Sequence, residues 1–223
     1  MEIDRLTQQV LDKIDDTGFT QKGAYNLRYN GYALCHGDTE HIKIKKREDG
    51  NPGINVYISG EAQGETVHIP VVIAASGMTD LVYNDFYVEE GAVVTIIAGC
   101  GIHNSGCDDS RHDGIHTFHV GKNASVLYAE KHYGEGEGEG GRLLNPETRI
   151  FLAQIAVFTL DTAQIKGVDS TVRTTYVEAM EGAKLFVTER LMTHDAQTAV
   201  SNKEVVLNGV GSSAQIETRS VAK

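Results

Sequence analysis

Residues 90–130 read EGAVVTIIAGCGIHNSGCDDSRHDGIHTFHVGKNASVLYAE, and they decide the fold class. The runs AVVTIIA, IHTFHV and ASVLYAE are short, rich in β-branched and aromatic residues, and bounded by glycine or asparagine turns, which is the pattern of strands. Two strand-opening turns, Glu90-Gly91-Ala92 and Gly121-Lys122-Asn123-Ala124, stand about thirty residues apart. The motif returns at Glu181-Gly182-Ala183 and Gly209-Val210-Gly211-Ser212, and a further turn is due near Ala153, where there is no glycine. A period of this length holds two strands, so it predicts a stacked coil in which each turn covers the apolar face of the next. The expectation is a mainly β chain wound as a β-helix (β-solenoid), with an antiparallel sandwich or jelly roll as the alternative.

Working outward, residues 2–16 place Ile3, Leu6, Val10 and Ile14 at spacings of three and four, which predicts a short amphipathic helix ending near Thr17-Gly18. Strand character sets in at about residue 54 with INVYI and TVHIPVVI. The division is therefore a helix and lead-in segment over 1–50 and the β-helix core over 51–223. Residues 134–141, GEGEGEGG, form the one low-complexity segment and predict a mobile, solvated loop between coils. The closing stretch GVGSSAQIETRSVAK alternates like a strand and carries no capping element. Its rung is expected to continue in a longer chain or to be covered by a partner.

Composition narrows the function classes. With 223 residues and 40% apolar content the chain can bury a core. A net charge of −11 excludes nucleic acid as the main partner, because binding a phosphate backbone needs clustered Lys and Arg. The basic stretch Lys43, Lys45, Lys46, Arg47 is short and reads as a solvated strand face. No apolar run of about eighteen residues exists for a membrane span, and the start MEIDRLTQQVLDKIDD lacks the layout of a secretory signal, so the expected location is cytoplasmic. The cysteines Cys35, Cys100 and Cys107 are odd in number and are read as thiols.

The chemistry-bearing stretch is Gly99 to Val120, GCGIHNSGCDDSRHDGIHTFHV. Thiolate and imidazole are the donors that iron-sulfur clusters, Fe(II) and Zn(II) accept, and Cys100-x-x-His103 in a loop can turn two side chains toward one ion. Cys107 is near enough in sequence to be a third ligand. His112 and His116 bracket Asp113-Gly114 and can converge if that pair turns. On a strand, His116 and Phe118 share one face and Thr117 and His119 the other. The plain alternative is that the polar residues make turns and the cysteines pack as small apolar groups. Glu130, Lys131 and His132, and later Glu189, Arg190, Thr193, His194 and Asp195, are read as solvated or ion-paired. No G-x-S-x-G elbow and no P-loop occur, so any ATP use falls to a partner.

From about Ile54 to Lys223 the chain resembles the short, archaeal and anaerobe-type relatives of SufB and SufD, the scaffold subunits of SUF iron-sulfur assembly. The resemblance rests on separate strings in one order: VYNDFYVEEGAVVTIIAGCGIHN, HDGIHTFHVGKNASVLYAEKHYGEGEGEGGRLLNPET, QIKGVDSTVRTT, ERLMTHDAQTA and LNGVGSSAQIETRSVAK. Two departures stand out. The family's C-terminal helical segment is missing, and Val120 stands where longer bacterial SufB proteins carry a cysteine.

The resemblance implies a right-handed parallel β-helix and a non-enzymatic scaffold that holds iron and sulfide, or a nascent iron-sulfur cluster, for transfer to apo iron-sulfur proteins. It implies a SufC-type ABC ATPase as partner and a homodimer or SufB/SufD-like heterodimer. Cys100, His103 and Cys107 are the expected iron or cluster ligands, with His112 and His116 as further metal candidates. The alternatives are a metal-dependent β-helix enzyme using Asp108 and Asp109, and a purely structural D-type partner without a cluster.

Overall fold

Alternation of buried and more exposed residues marks the strands of the central coils, as in β8 (Ser110–Val120), where residues 110, 112, 114, 116, 118 and 120 are buried. A period of two puts one face inside and one outside, and the chain repeats this until a closed coil results. The computed structural model describes residues 5–15 and 23–223. In chain order its elements are α1 (Arg5–Ile14), β1 (Ala24–Tyr29), β2 (Tyr32–Gly37), β3 (Ile42–Lys46), β4 (Gly53–Ile58), β5 (Gln63–Ile73), β6 (Thr79–Val88) and β7 (Val93–His103). After β8 come β9 (Ser125–Glu135), β10 (Arg142–Leu144), β11 (Glu147–Leu152), β12 (Val157–Lys166), β13 (Ser170–Ala179), β14 (Lys184–Thr193), β15 (Thr198–Leu207) and β16 (Ser213–Ala222). The expected helix over 2–16 is present as α1, while its cap at Thr17-Gly18 lies outside the described residues.

From β4 onward the strands alternate between two sheets, except that β10 and β11 share one. One runs β16-β14-β12-β9-β7-β5-β1-β2, and the other runs β10-β13-β11-β8-β6-β4-β3, with β15 on β13. Apart from the hairpins β1–β2 and β3–β4, every pairing is parallel. The result is a β-solenoid of about six turns. Ile96 faces Val67 on one side and Tyr128 on the other, which is the repeat of about thirty residues made physical. Among the described residues no helix is long and apolar enough to cross a membrane.

The turn without a glycine exists. Ile155 takes a left-handed φ of 55°, the conformation that Gly91, Asn123, Gly182 and Gly211 adopt in the neighbouring coils. Its N–H donates to the Glu181 carbonyl at 2.8 Å, one link of the ladder that runs from turn to turn. Stacking on that ladder holds a β-branched residue where its own sterics oppose it.

The GEGEGEGG segment is not a free excursion. Gly138 N–H donates to the Asn104 carbonyl at 3.1 Å and Gly140 N–H to the Gly106 carbonyl at 3.0 Å, so 136–141 stacks on the loop 104–109. A β-carbon on Gly138 would lie 2.3 Å from the Gly106 carbonyl oxygen. The alternating glycines reflect this backbone-on-backbone approach and not mobility.

The interior has two halves. Phe86, Phe118, Phe158, Leu160, Val177 and Leu185 fill the apolar one, with the Phe86 and Phe118 rings stacked 4.6 Å apart. Outside, Tyr57, Tyr87, His119 and Phe151 form a stacked column with centroid spacings of 5.2, 5.0 and 5.5 Å. His116 and His119 thus face opposite sides of β8, as the strand period requires. The second interior half is polar.

Candidate functional site

The Gly99-Cys100-Gly101 triplet is shaped by α1. Outside the coil, a β-carbon on Gly99 would lie 2.8 Å from Ile14 Cβ, and one on Gly101 would lie 2.1 Å from Val10 Cγ1. Both glycines make room for the apolar stripe Val10, Leu11 and Ile14, which packs with Leu27 and Val72. Cys100 faces the other way, into the interior, and is 4% exposed.

The expected ligand set therefore divides. Residues 100 and 103 lie on one strand, not a loop, and three positions along a strand face opposite sides. His103 Nδ1 lies 3.3 Å from Glu135 Oε1 and is half-buried. Cys107 is exposed in the loop that stacks on 136–141. In that loop the Asn104 amide donates to the Asp108 carbonyl at 2.9 Å, and Asp109 Oδ1 accepts from Gly141 N–H at 2.6 Å. Those side chains build the turn. Among the described residues, no group of three or more His, Cys, Asp or Glu is placed to hold a metal ion.

His112 and His116 do converge, for a different reason than a turn. β8 runs straight through Asp113-Gly114, so 112, 114 and 116 all face inward. Glycine at 114 leaves the middle position empty, and the place its β-carbon would occupy is 3.2 Å from His112 Nε2 and 2.8 Å from His116 Nε2. The resulting gap of about 10 Å³ is bounded also by Cys100, Glu130 and His132, and it has room for a single water-sized species.

Ionic partners orient the rings. Asp80 accepts from Arg28 Nε at 2.9 Å and Nη2 at 2.6 Å, and its Oδ2 lies 3.1 Å from His112 Nδ1. Burial alone would raise Asp80, but the Arg28 and His112 contacts hold it below the usual carboxylate range. An ionised carboxylate only accepts, so His112 Nδ1 donates to Asp80, and Nε2 faces the gap.

Deeper in, β9 presents Tyr128, Glu130 and His132 on the inner face. Arg173 from β13 donates Nη1 to Glu130 and Nη2 to His132 Nδ1 at 3.2 Å. Arginine has no acceptor, so the neutral His132 keeps its proton on Nε2. Glu189 follows, bonded to Lys203 Nζ at 2.6 Å, while Arg173 Nε lies 3.5 Å from Glu189 Oε1 without a hydrogen bond. Gln164, with both amide atoms unbonded among the described residues, and the hydroxyls of Thr148, Thr162 and Thr175 continue this polar half.

Burial dominates the proton affinities here. It pushes the Cys100 thiol well above its ordinary value, helped by Asp80 and Glu130. It lowers His116 to about 4 and lowers His132. For Glu130 burial acts the other way, yet Arg173 and His132 hold it well below the carboxylate range. At neutral pH the site thus holds a thiol, the neutral rings of His116 and His132, and paired charges.

Sequence reasoning read Glu130, His132 and Glu189 as solvated or ion-paired; Glu130 and Glu189 are ion-paired but buried, as is His132, and Arg28, Asp80 and Arg173 were passed over. The available signal was parity: Glu130 and His132 continue the inward series Val126 and Tyr128. A scan against protein-family models and a search of curated proteins find no match for this chain.

Proposed function

We propose that this chain is a scaffold component of SUF-type iron-sulfur assembly, and that its interior holds iron or sulfide one small species at a time at the Gly114 gap. The observation that carries this reading is that Cys100, His112 and His116 line one water-sized space inside the solenoid, although the three are not set at ligand positions and would have to close on an arriving ion. The resemblance of residues 54–223 to SufB and SufD subunits supports it.

Thiolate sulfur and imidazole nitrogen are donors that iron accepts. An arriving cation would have to displace the Cys100 proton, since the thiol is neutral when empty of metal. The gap does not fit several iron and sulfur atoms, so a finished cluster is cargo held elsewhere, with His103 and exposed Cys107 nearer to solvent. A SufC-type ATPase, a second B- or D-type copy and apo iron-sulfur proteins are the partners of this reading, and the cytoplasm its place.

A purely structural D-type role is the second reading. It is favoured by the completeness of the interior pairs Arg28–Asp80, Arg173–Glu130 and Lys203–Glu189. Anaerobic incubation with ferrous iron and sulfide separates the two. The expected result is a visible charge-transfer band and bound iron that Cys100→Ala removes and Cys107→Ala reduces only in part. A native chain with no new absorption and no retained iron sinks the scaffold-site reading. Equal loading of native and Cys100→Ala places the iron away from the Gly114 gap, whereas normal cluster loading of a complex that carries Cys100→Ala and Cys107→Ala favours the structural one.

A further inference from the structure

A cavity of about 700 Å³ opens at the N-terminal end of the coil. It is walled by β1, the β1–β2 turn, the β3–β4 hairpin and the inner faces of β5 and β6. Its volume lies in the range of small-molecule sites. Ile44, Ile54, Ile69, Val71 and Val82 line it with aliphatic surface. Ile44, Ile54 and Val71 are each 7% exposed, whereas core residues such as Val56, Phe86 and Phe118 are fully buried.

The polar wall is rich in unused donors. Arg28 spends Nε and Nη2 on Asp80, and among the described residues its Nη1 bonds nothing. The Asn26 amide makes no hydrogen bond among them either, and both residues are only 9% exposed. Lys46, at the rim, has no ion pair among the described residues. Arg47, by contrast, is committed to Asp49 and Asp85 at 2.5 and 2.6 Å. The lining holds one carboxylate, Glu48, and it is exposed. Donors that open onto the cavity without a protein acceptor favour a ligand that brings acceptors.

We propose that this cavity binds a small amphiphilic carboxylate, with its apolar body on Ile44, Ile54 and Val71 and its carboxylate on Arg28 Nη1, Asn26 and Lys46. The site is independent of the assembly reading, yet it touches the same machinery. Ile69 and Val71 also bound the Gly114 gap, and Asp80 joins Arg28 directly to His112.

The test uses the full chain with ¹³C-labelled isoleucine and valine methyls, titrated with decanoate and, separately, with 1-decanol. Decanoate should give saturable shifts at Ile44, Ile54 and Val71, and 1-decanol should bind at least about tenfold more weakly. Lys46→Glu, a change at an exposed position, should weaken decanoate by a similar factor, and Ile54→Trp should abolish the shifts. Ile216, exposed on the last rung, reports nonspecific association. Shifts confined to Ile216, or no shifts at all, overturn the site. Decanol binding as tightly as decanoate, with Lys46→Glu without effect, overturns the recognition of the carboxylate.

Discussion

Arg173 on β13 donates Nη1 to Glu130 on β9 across the solenoid interior, and both side chains are all but completely buried. The pair ties the two sheets together through the polar half of the core. Neither residue can be removed alone without leaving an uncompensated charge out of water. Arg173→Leu should therefore cost about 3–5 kcal/mol in urea unfolding, and Glu130→Leu a similar amount. The double variant should recover most of that loss. Strictly additive losses would show that the pair does not act as a unit.

His116 sets the acid behaviour. Its ordinary value of 6.5 is lowered to about 4 here, because burial disfavours the cation. Between those values the unfolded chain binds more protons than the folded one, so stability is full above pH 6.5 and falls as pH drops toward 4. The loss from this group is on the order of 3 kcal/mol. Urea midpoints at pH 7 and pH 4.5 should separate widely in the native chain and less in His116→Leu. Equal separations would assign the acid sensitivity to other groups.

Helix α1 stays on the coil through two glycines. Gly101→Val places methyl groups where Val10 packs, and a helix of 10 residues is marginal by itself. Amide hydrogen exchange should show α1 losing its protection while β12 to β16 keep theirs. Unchanged α1 protection would mean that the helix can shift sideways and still bury its stripe.

The three thiols should react in order of exposure. Cys107 is exposed, Cys35 is partly buried with its thiol pushed up by burial, and Cys100 is enclosed. Since the thiolate is the nucleophile, a disulfide reagent should modify Cys107 first and Cys100 only in denaturant. Cys107→Ser should remove the fast phase. A fast phase that survives would place a second reactive thiol at the surface.

Ile155 carries strain that its neighbours in the other turns avoid by being glycine or asparagine. Ile155→Asn should raise stability by about 1 kcal/mol, as no contact of a half-exposed side chain outweighs the left-handed backbone cost. A calorimetric midpoint that falls would mean that the Ile155 methyl on Gly182 contributes more than the strain removes.

Much of the architecture was legible in advance. Alternation and the spacing of Gly91, Gly121, Gly182 and Gly211 announce coils of two strands, since side-chain period and turn chemistry are local properties. The candidate site was legible only in part. His112 and His116 stood out, but their meeting depends on Gly114 pointing inward, which a turn at Asp113-Gly114 would have prevented. Cys100, His103 and Cys107 looked like a set because they are close in sequence, and a strand followed by a stacked loop separates them.

By itself, the order of residues determined the strand period, the thirty-residue repeat and the amphipathic stripe of α1, all set by neighbours within one element. Only the tertiary structure decided what lies opposite what. Parallel stacking brings Asp80, His112, Glu130 and Arg173 together from four strands, and it turns GEGEGEGG from a tether into a packed layer. The physical reason is that such contacts join residues about thirty positions and more apart, where register between coils, and not local preference, fixes the distance.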